Sequence, residues 1–149
     1  MPGIGALRDV LPGLLEDRRG DLAEPVYRRC RYVVEENARV ASAVQAMESG
    51  DAAGLGALMN ASHAGLRDLF EVSLPAIDAL AAAAQDTPGC LGSRLTGAGF
   101  GGCTVSLVRA EGLGGFTARV EEAGNKAGLR VDIRVLRPVG GAGPVAQGP

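Results

Sequence analysis

Ser93-Arg94-Leu95-Thr96-Gly97-Ala98-Gly99-Phe100-Gly101-Gly102-Cys103-Thr104-Val105-Ser106-Leu107-Val108 is the stretch from which the fold can be read. Gly97, Gly99, Gly101 and Gly102 crowd into a short loop, and a run alternating apolar with small polar residues follows it. Alternation of this kind is strand periodicity, and it predicts a strand over Gly102–Val108, preceded by a short one over Leu91–Leu95. Glycine reaches backbone angles closed to other residues and lets a ligand approach the main chain. Several N–H groups can then converge on one anion. A tight glycine-rich connection between two strands accounts for the same composition, and a glycine pattern alone does not choose between the two readings.

Downstream, Leu113, Phe116, Val120 and Ala127 predict a helix ending near Gly128. Val131, Ile133 and Val135 then alternate with Arg130, Asp132 and Arg134, which predicts a last strand with one polar face. From Pro138 the chain is Gly, Pro, Ala and Gln, and residues 138–149 are expected to be a disordered tail.

Upstream the signals are helical. Val26, Cys30, Val33, Val40, Val44 and Met47 recur at three- and four-residue steps, predicting a helix from Pro25 to Met47 with these residues on its buried face. Arg28, Arg29, Glu35, Glu36 and Arg39 lie mostly off that stripe and read as a solvated face, with Glu35 and Arg39 as an i,i+4 pair. Asp51 can cap a second helix running to about Phe70. Along it Asn60, His63 and Arg67 form a polar stripe, able to line a cleft or to be an exposed or domain-facing edge. Ser73 and Pro75 open a third, Ala-rich helix carrying Ile77, Leu80, Ala81 and Ala84, which stops at Asp86-Thr87-Pro88-Gly89. Residues 1–24 give only a hint of a short helix through Leu7, Val10, Leu11 and Leu14.

This order, helices and then strand, glycine loop, strand, helix and strand, makes an α+β arrangement. Helices pack on one side of a small, mainly antiparallel sheet. With 149 residues and 46% hydrophobic content the chain is about one domain. Aromatics are only 3%, so the core is expected to rest on Leu, Val, Ala and Ile. A net charge of -2 offers no footprint for nucleic acid or an anionic membrane. Cys30, Cys90 and Cys103 lack disulfide or zinc spacing and suit a reducing cytoplasm. No metal site is expected among the side chains.

Two stretches, taken together, resemble a known family. Met59-Asn60-Ala61-Ser62-His63-Ala64-Gly65-Leu66-Arg67-Asp68, with Glu71-Val72-Ser73 and Pro75, is similar to the galactokinase segment written MNESHxSLRDxYEVSCPELD. Ser93 to Cys103 resembles the third signature of galactokinases, within the GHMP small-molecule kinases. The helix Tyr27 to Val40 and the segment Ala6-Leu7-Arg8-Asp9-Val10 fit upstream of them. Ala61, Gly65, Leu69, Phe70 and Leu74 depart from the pattern, and Gly65 inside a helix costs roughly 1 kcal/mol against Ala.

The resemblance implies a ferredoxin-like GHMP kinase carboxy-terminal domain over residues 1–137, with a helical part at 25–85 and the strand-bearing part at 90–137. It implies that Gly97, Gly99, Gly101 and Gly102 form one wall of a cleft in which ATP, with Mg2+, phosphorylates the C1 hydroxyl of galactose. No catalytic side chain is assigned to this chain. Asp68 and Asp78 suit a helix surface or cap. No segment resembles the first two signatures, so an amino-terminal kinase domain is the implied partner and the chain is expected to be inactive without it. Two alternatives stand beside this: a stand-alone sugar- or nucleotide-binding or regulatory module, and another GHMP sugar kinase, such as one acting on N-acetylgalactosamine.

Overall fold

A computed structural model describes residues 3–137; the expected disordered tail lies outside the described residues. Two short 3-10 turns and helix α1 (Pro12–Asp17) lead into α2 (Glu24–Glu48), α3 (Ala52–Asp68) and α4 (Pro75–Gln85). Strands β1 (Cys90–Thr96) and β2 (Cys103–Val108) follow, and then helix α5 (Leu113–Lys126). The strands form an antiparallel pair with Leu95 opposite Thr104 and Thr96 opposite Cys103, so the glycine loop is the hairpin connection. Helices α3 and α4 lie against β1, and α5 lies against α4. The architecture is α+β, as the element order implies.

Local chemistry sets several helix ends. Pro25 and Pro75 sit in the first turns of α2 and α4, where a missing N–H costs nothing. The Asp51 carboxylate accepts the Gly54 N–H at 2.8 Å and caps α3. Ile77, Leu80, Ala81 and Ala84, the expected apolar face of α4, are all buried.

Helix α2 exists as predicted, but its buried face differs. Val26, Val40, Val44 and Met47 are exposed, while Tyr27, Tyr32, Val34 and Ala46 are buried. The reason is that α2 has two partners on different sides. Tyr27 and Val34 close a cluster with Leu15 of α1, and Tyr32 joins Leu66, Val72, Ile77 and Leu95. The core therefore uses aromatics after all, with Phe116 in a third cluster beside Leu80, Ala84 and Val120. Gly65 makes room for Tyr32, since a Cβ there would fall 2.8 Å from its ring.

The charged residues of α2 are not a solvated face either. Glu36 accepts the Ser62 hydroxyl at 2.5 Å and Arg39 Nε at 2.7 Å, and Arg94 Nη1 of β1 lies 3.3 Å away. Burial alone would raise the Glu36 carboxyl, but these donors together hold it below the usual range. Arg29 Nη1 donates to the Leu69 carbonyl at 2.9 Å, and Arg28 and Arg29 both pair with Glu71. Cations here oppose the negative end of α3.

The strand expected over Val131–Val135 does not form. Residues 129–137 carry no helix or ladder, and among the described residues the sheet has two strands. Leu129, Val131 and Ile133 nevertheless pack half-buried against the α4–α5 cluster. The alternation thus reports a one-sided apolar contact, whereas a strand also needs a neighbouring backbone to bond.

A close backbone contact joins α3 to β1. A Cβ on Gly56 would stand 2.1 Å from the Leu91 carbonyl oxygen, and one on Gly92 would stand 2.2 Å from the Gly56 carbonyl oxygen. Both neighbours are backbone, so neither can give way by changing rotamer. Overpacking at such a site costs about 1–3 kcal/mol or more. We expect Gly56→Ala and Gly92→Ala each to lose at least that in urea unfolding, and Gly13→Ala, which has open space around it, to lose nothing measurable.

Candidate functional site

The contact at Gly56 and Gly92 brings the polar residues of α3 onto β1. Ser93 and Leu95 turn their N–H and C=O groups away from β2, toward an edge that no strand among the described residues covers. Side chains satisfy these groups instead. The Ser93 N–H donates to Asn60 Oδ1 at 2.8 Å, and the Leu95 N–H donates to His63 Nδ1 at 3.2 Å. The Ser93 carbonyl accepts Gln85 Nε2 at 2.8 Å, and the Leu95 carbonyl accepts Arg94 Nε at 3.0 Å. Asn60 and His63 sit one helical turn apart, so both reach the edge from one face of α3. Buried main-chain groups need partners of this kind, because an unsatisfied one costs about 1–3 kcal/mol.

The polar stripe therefore divides: Asn60 and His63 hold the edge of β1, while Arg67 is exposed. His63 is 3% exposed, and Arg67 lies in the open and pairs with its neighbour Asp68. Burial lowers the His63 pKa, with Arg67 and Arg94 adding to it against the pull of Asp78 and Asp68. Asp78 accepts the Ser73 hydroxyl at 2.5 Å, and its Oδ1 stands 3.3 Å from His63 Nε2. That approach is close but poorly aligned, and Nε2 has no hydrogen-bond partner among the described residues. Of the two carboxylates named from the sequence, Asp68 lies at the surface and Asp78 near the start of α4.

The glycine loop leaves β1 immediately after this anchored segment. Gly97, Gly99, Gly101 and Gly102 all have positive φ, at 94°, 87°, 126° and 95°, and so does Phe100 at 58°. A non-glycine residue there is uncommon and strained, and strain of this kind persists only where its surroundings hold it. Here the Phe100 N–H donates to the Val72 carbonyl at 2.7 Å, while the ring remains 71% exposed. Gly99 lies against the same residue: a Cβ would meet the Val72 oxygen at 2.5 Å. Around Gly97 and Gly101 the space is open. The loop is thus pinned at its base by His63 and at its tip by Val72, with bare backbone between.

Such a surface suits close approach of an anionic group to the main chain, with the Phe100 N–H already engaged. Among the described residues no group of three His, Cys, Asp or Glu side chains is placed to hold a metal ion. Open depressions between α2 and α3, around Ala46 and Leu58, and beside Tyr27 and Arg31 do not border the loop. No helix among the described residues is long and apolar enough to cross a membrane.

Residues 43–126 match the family described as GHMP kinases C terminal, and the chain belongs to that family. The particular relatives are galactokinases. The chain is 50% identical over 145 residues to a galactokinase of Roseiflexus sp. (strain RS-1), covering 97% of this chain and 37% of that protein. It is 47% identical over 108 residues to the Homo sapiens galactokinase, covering 72% of this chain and 28% of the relative. A crystal structure of Lactococcus lactis galactokinase complexed with galactose superposes with a TM-score of 0.80 at 35% identity, over 84% of this chain and 33% of that one. The chain thus spans about a third of the length of the curated relatives it matches.

The two ends of the loop's grip separate by mutation. Gly97→Ala introduces only left-handed strain, roughly 1–2 kcal/mol. Gly99→Ala adds a clash with the Val72 carbonyl, and we expect it to be the more destabilising of the two in chemical denaturation and to raise protease sensitivity around Phe100. Equal losses for the two variants would contradict the Val72 contact.

Proposed function

We propose that this chain is the carboxy-terminal part of a galactokinase, acting in galactose metabolism in the cytoplasm. The reaction is transfer of the γ-phosphoryl group of ATP to the C1 hydroxyl of galactose. In this reading Gly97, Gly99, Gly101 and Gly102 form one wall of the cleft, where the absence of Cβ atoms lets phosphate or sugar lie against the backbone. Phosphoryl transfer relies mainly on positioning and charge neutralisation. This chain contributes positioning; the groups that neutralise charge and hold Mg2+ belong to an amino-terminal kinase domain. The observation that carries the reading is the 50% identity to a galactokinase along 97% of the chain, a span that includes the loop.

A coupled assay for galactose-dependent ADP release tests it. The chain alone is expected to give no turnover. Co-expression with the part of the Roseiflexus galactokinase that this chain does not match is expected to restore it, with galactose preferred over N-acetylgalactosamine. Turnover by the isolated chain overturns the requirement for a partner. Absence of turnover in the reconstituted enzyme, with saturable galactose or ATP binding to the chain alone in calorimetry, would favour a stand-alone binding module.

A further inference from the structure

His63 is buried at the meeting point of three elements, and its two nitrogens have different tasks. Nδ1 accepts the Leu95 N–H, so it carries no proton and the ring is the neutral Nε2–H tautomer. Leu95 is fully buried and precedes Thr96, the last residue of β1 before the loop. The other nitrogen faces Asp78 of α4, whose carboxylate is drawn toward Ser73. Ser73 directly follows Val72, whose carbonyl holds Phe100 at the loop tip. One imidazole is therefore bonded to the base of the loop and lies 3.3 Å from the carboxylate beside the element that grips its tip.

We propose that His63 is a positioning residue: as the neutral Nε2–H tautomer it sets the placement of the glycine loop, and its protonation releases the Leu95 N–H and loosens the loop. A proton added at Nδ1 replaces the acceptor by a donor pointing at another donor, so the bond to Leu95 and the protonated ring exclude each other. The charged groups that face the ring are Asp78 from α4, Asp68 and Arg67 from α3, and Arg94 from β1. The sign of the pH dependence follows from the depressed pKa of the folded state. Stability from His63 is fully present above the unfolded value of about 6.5. It is lost as pH falls through the folded value, since the unfolded chain takes up the proton first.

The consequence for substrate binding rests on the reading of the loop as a cleft wall, but the experiment reads His63 and Leu95 directly. Failure of the galactokinase reading therefore appears only in the turnover assay. Imidazole nitrogen spectra of the 15N-labelled chain at about pH 7.5 are expected to show the Nε2–H tautomer; an Nδ1–H tautomer overturns the proposal. Amide exchange supplies the second arm. Lowering the pH to about 5 is expected to reduce protection of Leu95 and of Phe100, the two bonded amides at the base and tip of the loop, by about tenfold, the scale of one hydrogen bond. His63→Asn keeps an acceptor near the Nδ1 position and cannot be protonated, so it should retain Leu95 protection and abolish that pH dependence. His63→Leu should lose Leu95 protection at all pH values. The same acid loss of protection in His63→Asn as in the unmutated chain would assign the effect to another group and overturn the proposal. Because His63→Asn preserves the bond, a failure of His63→Leu to fold leaves the test decisive.

Discussion

The close approach of α3 to β1 is the constraint on which the rest of the molecule depends. Gly56 and Gly92 let a helix backbone and a strand backbone come into contact where any side chain would hold them apart. Only at that distance can Asn60 and His63 reach the main chain of β1. Their acceptors replace those that a third strand would have supplied, and so a two-stranded sheet has a satisfied inner edge. An isolated hairpin is at best marginal in water, and helical cover of this sort is what makes so small a sheet viable.

From this contact, order spreads in two directions. Toward the amino terminus, Glu36 gathers Ser62, Arg39 and Arg94, tying α2 to both α3 and β1. Arg28 and Arg29 hold the end of α3 and Glu71, a residue at φ 58° that turns the chain toward Val72. Toward the carboxy terminus, the hairpin opens into a loop whose unusual φ values are maintained by Val72. The strained residues at Glu71 and Phe100 lie on either side of that one hydrogen-bonded contact. A surface of bare backbone is thereby held in place, as the proposed role of one wall of a shared cleft requires.

Much of this is legible in the order of the residues. The three-residue and four-residue spacings locate α2, α3 and α4, the period-two run locates β2, and Asp51, Pro25 and Pro75 mark helix starts. The glycines named for the loop do occupy positive φ. These features are local: capping, periodicity and left-handed backbone each depend on a few neighbouring residues. The inward face of α2 is not legible in this way, because Val40, Val44 and Met47 satisfy the same period as Tyr32 and Ala46, and the choice between faces depends on which neighbours arrive. Nor is the role of His63, since a lone histidine has no signature until a strand edge lies within reach of its nitrogen. Two glycines at positions 56 and 92 are the available signal, and nothing in their spacing pairs them.

The amino-acid sequence by itself therefore determined the order and kind of the elements, the place of the glycine loop and the resemblance to the GHMP kinases. Those follow from short-range sterics and from residue patterns read along the chain. Tertiary structure alone decided which face of α2 is buried and that Val131–Val135 lies extended without a ladder. It also decided that the charged residues of α2 form an internal clamp, and that Asn60 and His63 close the edge of the sheet. Each of these depends on a partner distant in sequence. In residues 93–108 likewise, the glycines let the loop adopt its path and the contacts of Leu95 and Phe100 select it.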